Sequence, residues 1–227
     1  MPGSAVHRTY GVPARVAKAG LAFLAGCALL LWLVGSAAWA QAQAPAAGKA
    51  GARPLLVLAF GDSLTAGYGL KPGESFPAQL EAALRREGLN ARVHNAGVSG
   101  DTSAQGRARL NWVLSSLKAT PDLAIVALGA NDMLRGAPPA QARANLDAIL
   151  AELGRRGIPV ILAGMLAAPN LGSAYAREYN AIFPALARAH GATLYPFFTA
   201  GVTAEPRYLL GDGMHPNAAG VGVLVRN

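Results

Sequence analysis

Residues 55–60 read Leu-Leu-Val-Leu-Ala-Phe, and Gly61-Asp62-Ser63-Leu64 follows at once. Six consecutive apolar residues, with no polar alternation, suit a strand covered on both faces, as in a parallel sheet. Residues 123–128 (LAIVAL) and 159–163 (PVILA) read the same way, and 91–94 and 192–195 are shorter strand candidates. Helical patterns lie between them. Phe76, Leu80, Ala83 and Leu84 recur at helical spacing, and Gly88 stops them. Ala142, Leu146, Ile149, Leu150 and Leu153 form a second apolar stripe, and 103–117 and 174–189 are further helical stretches. The strand–helix alternation predicts one doubly wound, three-layer α/β domain of about five parallel strands over 55–227. No internal repeat and no second domain are read from it.

The composition narrows the function classes. The chain has 227 residues, 52% hydrophobic and 14% charged, enough for a sizeable core and too apolar for a disordered chain. A single cysteine excludes an internal disulfide framework and argues against a Cys/His zinc cluster. The formal charge is +8, but the positive residues are scattered. Arg85-Arg86 and Arg155-Arg156 sit near predicted helix ends, where cations oppose the negative end of the macrodipole. No basic stripe with interleaved aromatics points to nucleic acid.

The first forty residues read as an address. Arg15 and Lys18 precede an uncharged run over 19–40, which ends in small-x-small registers such as Ala38-Trp39-Ala40. A basic start, an apolar stretch and such a site make a secretory signal, with residues 41–54 as a flexible leader. Two other readings stay open. The run is long enough to span a bilayer as an uncleaved anchor, and Leu24-Ala25-Gly26-Cys27 resembles a lipoprotein box. The expected location is periplasmic or secreted, with membrane contact only through this segment.

Every predicted strand end carries polar, turn-forming residues: Gly61-Asp62-Ser63-Leu64, then 95–102 (NAGVSGDT), then Gly129-Ala130-Asn131-Asp132, and near the C-terminus Asp212-Gly213-Met214-His215-Pro216. Open α/β sheets bind ligands at strand carboxyl ends, so the four loops can converge. Their residue types fit acyl transfer. A serine hydroxyl is a weak nucleophile until a histidine takes its proton, and a carboxylate orients that histidine. Ser63 stands at a strand-to-helix turn. His215 has Asp212 three residues before it, whereas His94 and His190 fall on a strand and a helix end and read as structural. The Ser63 N–H, the Gly97 N–H and the Asn131 amide supply three candidate oxyanion donors. Met133, Leu134, Leu166, Ala167 and Pro169 are candidates for an apolar acyl pocket. Asp62 is a rival acid, but its place beside Ser63, like the places of Asp101 and Asp132, suits bonding within its own loop. The Gly-x-Ser-x-Gly elbow of the α/β-hydrolases is broken by Thr65, and Walker and Rossmann glycine patterns are absent after the first strand.

These blocks resemble the GDSL, or SGNH, hydrolase family over about 55–220. They match it at Gly61-Asp62-Ser63-Leu64, Gly97, Gly129-x-Asn131-Asp132 and Asp212-x-x-His215. Residues 61–69 (GDSLTAGYG), 99–103 (SGDTS) and 212–217 (DGMHPN) look like its bacterial thioesterase I/lysophospholipase/arylesterase branch. The resemblance implies a flavodoxin-like sandwich with Ser63 as nucleophile, His215 as base and Asp212 as orienting acid. It also implies Ser63, Gly97 and Asn131 as oxyanion donors, no cofactor and no metal. The expected substrate is a small acyl ester or thioester. A carbohydrate O-acetylesterase and a catalytically silent envelope binding protein are the alternatives. Twelve residues follow His215, room for about two helical turns where the branch carries a longer helix, so a shortened C-terminus is a further expectation.

Overall fold

The computed structural model describes residues 53–227. The address over 1–40 and nearly all of the leader lie outside the described residues. Five strands, β1 (Leu55–Gly61), β2 (Ala91–Gly97), β3 (Leu123–Ala127), β4 (Val160–Ala163) and β5 (Thr193–Tyr195), form one parallel sheet in the order β2-β1-β3-β4-β5. The chain moves outward from β1 to β2, then returns past β1 to β3. The strand order therefore reverses between β1 and β3, and a crevice opens outside their carboxyl ends. Register levels those ends, because Gly61 pairs with both Gly97 and Ala127.

Helices α1 (Ser63–Ala66), α2 (Phe76–Arg86), α3 (Ser103–Ser116), α4 (Ala130–Leu134), α5 (Pro139–Arg155), α6 (Ser173–Asn180), α7 (Ile182–His190) and α8 (Ala218–Arg226) connect or flank the strands. The apolar run of β1 is buried from Val57 to Phe60, as a strand covered on both faces requires. The stripe of α5 is buried at all five expected positions, Ala142, Leu146, Ile149, Leu150 and Leu153. Fully burying each leucine or isoleucine of the stripe contributes about 1.5–3 kcal/mol. A capping box, in which Thr102 and Gln105 exchange hydrogen bonds, starts α3.

Two expectations change. The stretch over 174–189 is not one helix. Pro184 has no N–H to donate to the Asn180 carbonyl, so the chain ends α6 at Asn180 and restarts with Pro184 in the first turn of α7. Strand β2 runs to Gly97 rather than ending near His94, because its backbone stays paired along the whole of β1. Its alternating burial marks a sheet edge with one exposed face. Among the described residues, no helix is long and apolar enough to cross a membrane.

Candidate active site

Ser63 follows β1 by two residues and opens α1, where the buried Asp62 carboxylate accepts a hydrogen bond from the Leu64 N–H at 3.0 Å. His215 arrives from the far end of the chain on a tight turn. The Leu210 N–H donates to the His215 carbonyl at 2.8 Å, and Leu209 bridges antiparallel to Pro216. Asn217 anchors the exit, donating from Nδ2 to the Arg207 and Leu209 carbonyls. This seating puts His215 Nε2 at 2.9 Å from Ser63 Oγ and His215 Nδ1 at 2.6 Å from Asp212 Oδ2. The other Asp212 oxygen accepts the Met214 and His215 amides at 2.9 and 3.0 Å. The His215 and Met214 amides, and after them the His215 ring, hold the Asp212 carboxyl down at about 2. It therefore stays charged and can fix the tautomer of the imidazole.

The remaining acids act as struts. Burial pushes the Asp62 carboxyl up to about 6, against the lowering effect of the Leu64 N–H. Asp62 Oδ2 lies 3.4 Å from Asn131 Nδ2, which also donates to the Asp101 carbonyl at 3.0 Å. Buried Asp132 accepts both the Ser103 N–H (2.7 Å) and the Ser103 hydroxyl (2.6 Å), tying the loop after β3 to the start of α3. The two other described histidines lie elsewhere. His94 is on β2, where burial and then the nearby Arg92 lower its pKa, and His190 pairs with Asp147 at 2.7 Å.

The expectation for Gly97 needs correcting. Its N–H donates to Asn95 Oδ1 at 3.0 Å, and it does not line the cleft. It is glycine for a packing reason: a Cβ there would run into the Ala66 backbone nitrogen and come within 2.7 Å of the Ala66 Cα. Three residues on, Gly100 does line the cleft. It sits at φ +85° in a turn closed by the Asp101 N–H on the Val98 carbonyl, a left-handed position that glycine accepts without strain. The N–H groups of Gly100 and Ser63 make no hydrogen bond within the described residues. The sequence did hold a signal for Gly100, since Ser99-Gly100-Asp101 has the glycine where a type II turn requires one.

The cleft above the strand ends has a volume of about 600 Å³. Ser63, Asn131 and His215 open onto it, and so do all five expected pocket residues, Met133, Leu134, Leu166, Ala167 and Pro169. Sequence reasoning missed Tyr68, Met165, Phe197, Thr199, Thr203 and Met214, which also line it. Their apolar or turn-like surroundings carry no chemical signature, and only tertiary structure brings them here. Among the described residues, no lysine or arginine lines the cleft. Among the described residues, no group of three or more His, Cys, Asp or Glu is arranged to hold a metal ion.

The model of the GDSL-like lipase/acylhydrolase family matches residues 59–223. The chain belongs to this family. It is 38% identical over 179 residues to esterase TesA of Pseudomonas aeruginosa, covering 79% of this chain and 87% of that protein. It is also 38% identical over 160 residues to an arylesterase of Vibrio mimicus, covering 70% and 79% of the two chains. The solved structure of AlinE4, an SGNH-hydrolase family esterase, is 55% identical and superposes with a TM-score of 0.70, covering 78% of this chain and 93% of that one. The fold is thus the α/β sandwich of the SGNH hydrolases, and this GDSL-type protein is an ester or thioester hydrolase.

Proposed function

We propose that Ser63 is the nucleophile, His215 the general base and acid, and Asp212 the acid that orients His215, in hydrolysis through an acyl-enzyme. The observation that carries this reading is the continuous hydrogen-bonded chain Asp212–His215–Ser63, with separations of 2.6 and 2.9 Å. Ser63 Oγ attacks the acyl carbonyl carbon as its proton passes to His215 Nε2. The oxyanion meets the free N–H groups of Ser63 and Gly100. The Asn131 amide completes the set by giving up its long 3.4 Å contact with Asp62. Collapse expels the alcohol or thiol, which takes the proton from His215. Water then attacks the acyl-enzyme, gives its proton to His215, and the acid leaves as Ser63 is restored. Replacing Ser63 with Ala should abolish turnover of p-nitrophenyl butyrate, and retained turnover would refute the mechanism.

The substrate reading is an uncharged ester or thioester with an apolar acyl or aryl group. It is supported by the apolar walls of the cleft, to which no described residue brings a cationic side chain for a phosphate. A related protein of Escherichia coli K12, thioesterase 1/protease 1/lysophospholipase L1, is 38% identical over 168 residues. A panel varying acyl length and leaving group tests the reading. A gain of about fourfold in kcat/KM per added methylene is expected until the pocket is filled. Strict preference for acetyl esters of sugars would instead favour the O-acetylesterase. Export is the reading for residues 1–40, and the mass of the mature N-terminus decides between cleavage, anchor and lipoprotein.

A further inference from the structure

Arg109, on α3, does not line the cleft, yet it touches the supports of every proposed oxyanion donor. Its guanidinium stands 4.3 Å over the Phe60 ring on β1. Nη2 donates to the Gly61 carbonyl at 2.9 Å, two residues before Ser63. Nε donates to Asp101 Oδ2 at 2.6 Å, and both side chains are largely buried, 18% and 8% exposed. Asp101 is the last residue of the turn that carries Gly100, since its N–H donates to the Val98 carbonyl at 3.1 Å. The first residue of that turn is held to the same strand end, with the Val98 N–H on the Gly61 carbonyl at 3.0 Å. The Asp101 carbonyl in turn accepts Asn131 Nδ2 at 3.0 Å. One planar fork therefore joins the tip of β1, the Gly100 turn and, through Asp101, the Asn131 amide.

We propose that Arg109, acting through Asp101, is a positioning residue that holds the Ser63, Gly100 and Asn131 donors in register with one another. The inference rests on the donor set of the proposed mechanism. Donors stabilise the transition state only when fixed before the reaction to within a fraction of an ångström. Guanidinium geometry suits this task because two donors in one rigid plane reach two acceptors at a set separation, which a lysine ammonium cannot reproduce. Without the cation, the Asp101 carboxylate is buried unpaired and the turn it closes shifts. Because Arg109 does not line the cleft, its loss weakens transition-state stabilisation and leaves ground-state binding alone.

The experiment compares the full-length wild type with Arg109→Met, Arg109→Lys and Asp101→Asn. A fluorophosphonate probe counts active serines by its labelling end point, and kcat and KM for p-nitrophenyl butyrate are expressed per labelled serine. Arg109→Met should lower kcat per labelled serine by about 100-fold, the scale of an ångström-sized misplacement, with KM little changed. Arg109→Lys and Asp101→Asn should fall between it and the wild type. The rate constant of labelling should drop in parallel, since the phosphonyl adduct occupies the same donors. An ion pair that only stabilised the fold would lower the labelling end point and the melting temperature, with kcat per labelled serine and the labelling rate unchanged. That result overturns the proposal. If Arg109→Met leaves no folded protein, Arg109→Lys decides by the same two readouts. A Ser63→Ala variant that still turned over ester would instead strike the assignment of the nucleophile.

Discussion

The Tyr68 ring packs on the His215 imidazole, with centroids 4.5 Å apart and planes tilted by 37°. Tyr68 lies five residues after the candidate nucleophile and 147 before the histidine it touches, so the contact joins the two ends of the site. An aromatic pair of this kind contributes about 0.5–1.5 kcal/mol beyond its buried area. Tyr68→Ala should therefore lower kcat/KM for a p-nitrophenyl ester by about tenfold, and Tyr68→Phe, which keeps the ring, should stay near wild type. Equal losses in both variants would assign the effect to the hydroxyl instead.

The Asp62 carboxyl gives the protein a pH signature. Burial raises it to about 6 in the folded state, while an unfolded aspartate releases its proton near 3.9. The native state thus binds the extra proton between these values. Stability from this group is fully present below about pH 4 and declines as the pH rises towards 6. Urea unfolding of the wild type should lose about 3 kcal/mol over this window relative to Asp62→Asn. Parallel curves for the two proteins would count against the shift.

Gly97 offers a test of packing against chemistry. A Cβ there meets the backbone of Thr65 and Ala66 in α1, which cannot yield as a flexible side chain would. Gly97→Ala should destabilise the protein by about 1–3 kcal/mol, the usual cost of overpacking, as read by thermal unfolding. Asn95→Ala removes the acceptor of the Gly97 N–H without adding bulk, and its kcat should remain close to wild type. A clear rise in kcat for Asn95→Ala would return Gly97 to the list of donors, because the freed N–H would then serve the oxyanion.

Tyr179 is buried between Tyr175 and Phe183, and its hydroxyl has no hydrogen-bond partner among the described residues. An unsatisfied buried hydroxyl costs about 1–3 kcal/mol. Tyr179→Phe removes the polar atom and keeps the ring, so it should raise the melting temperature and leave ester hydrolysis unchanged. A lower melting temperature would mean that the hydroxyl is bonded in solution.

Local chemistry in the chain was enough to determine the alternation of strands and helices. Continuous apolar runs bounded by turn residues suit covered strands, the α5 stripe suits a core-facing helix, and Ser63, Asn131, Asp212 and His215 stand among turn-forming residues. Those features depend on neighbours within a few residues. Which glycine offers a free N–H depended on a side chain of the edge strand, because Asn95 engages Gly97 and leaves Gly100 open to the cleft. The Tyr68 cover over His215 and the Arg109 bridge were likewise decided by packing. Their partners are distant in sequence, or, as with Asp101, lie across a turn whose course only the folded sheet sets, so no periodicity along the chain encodes them.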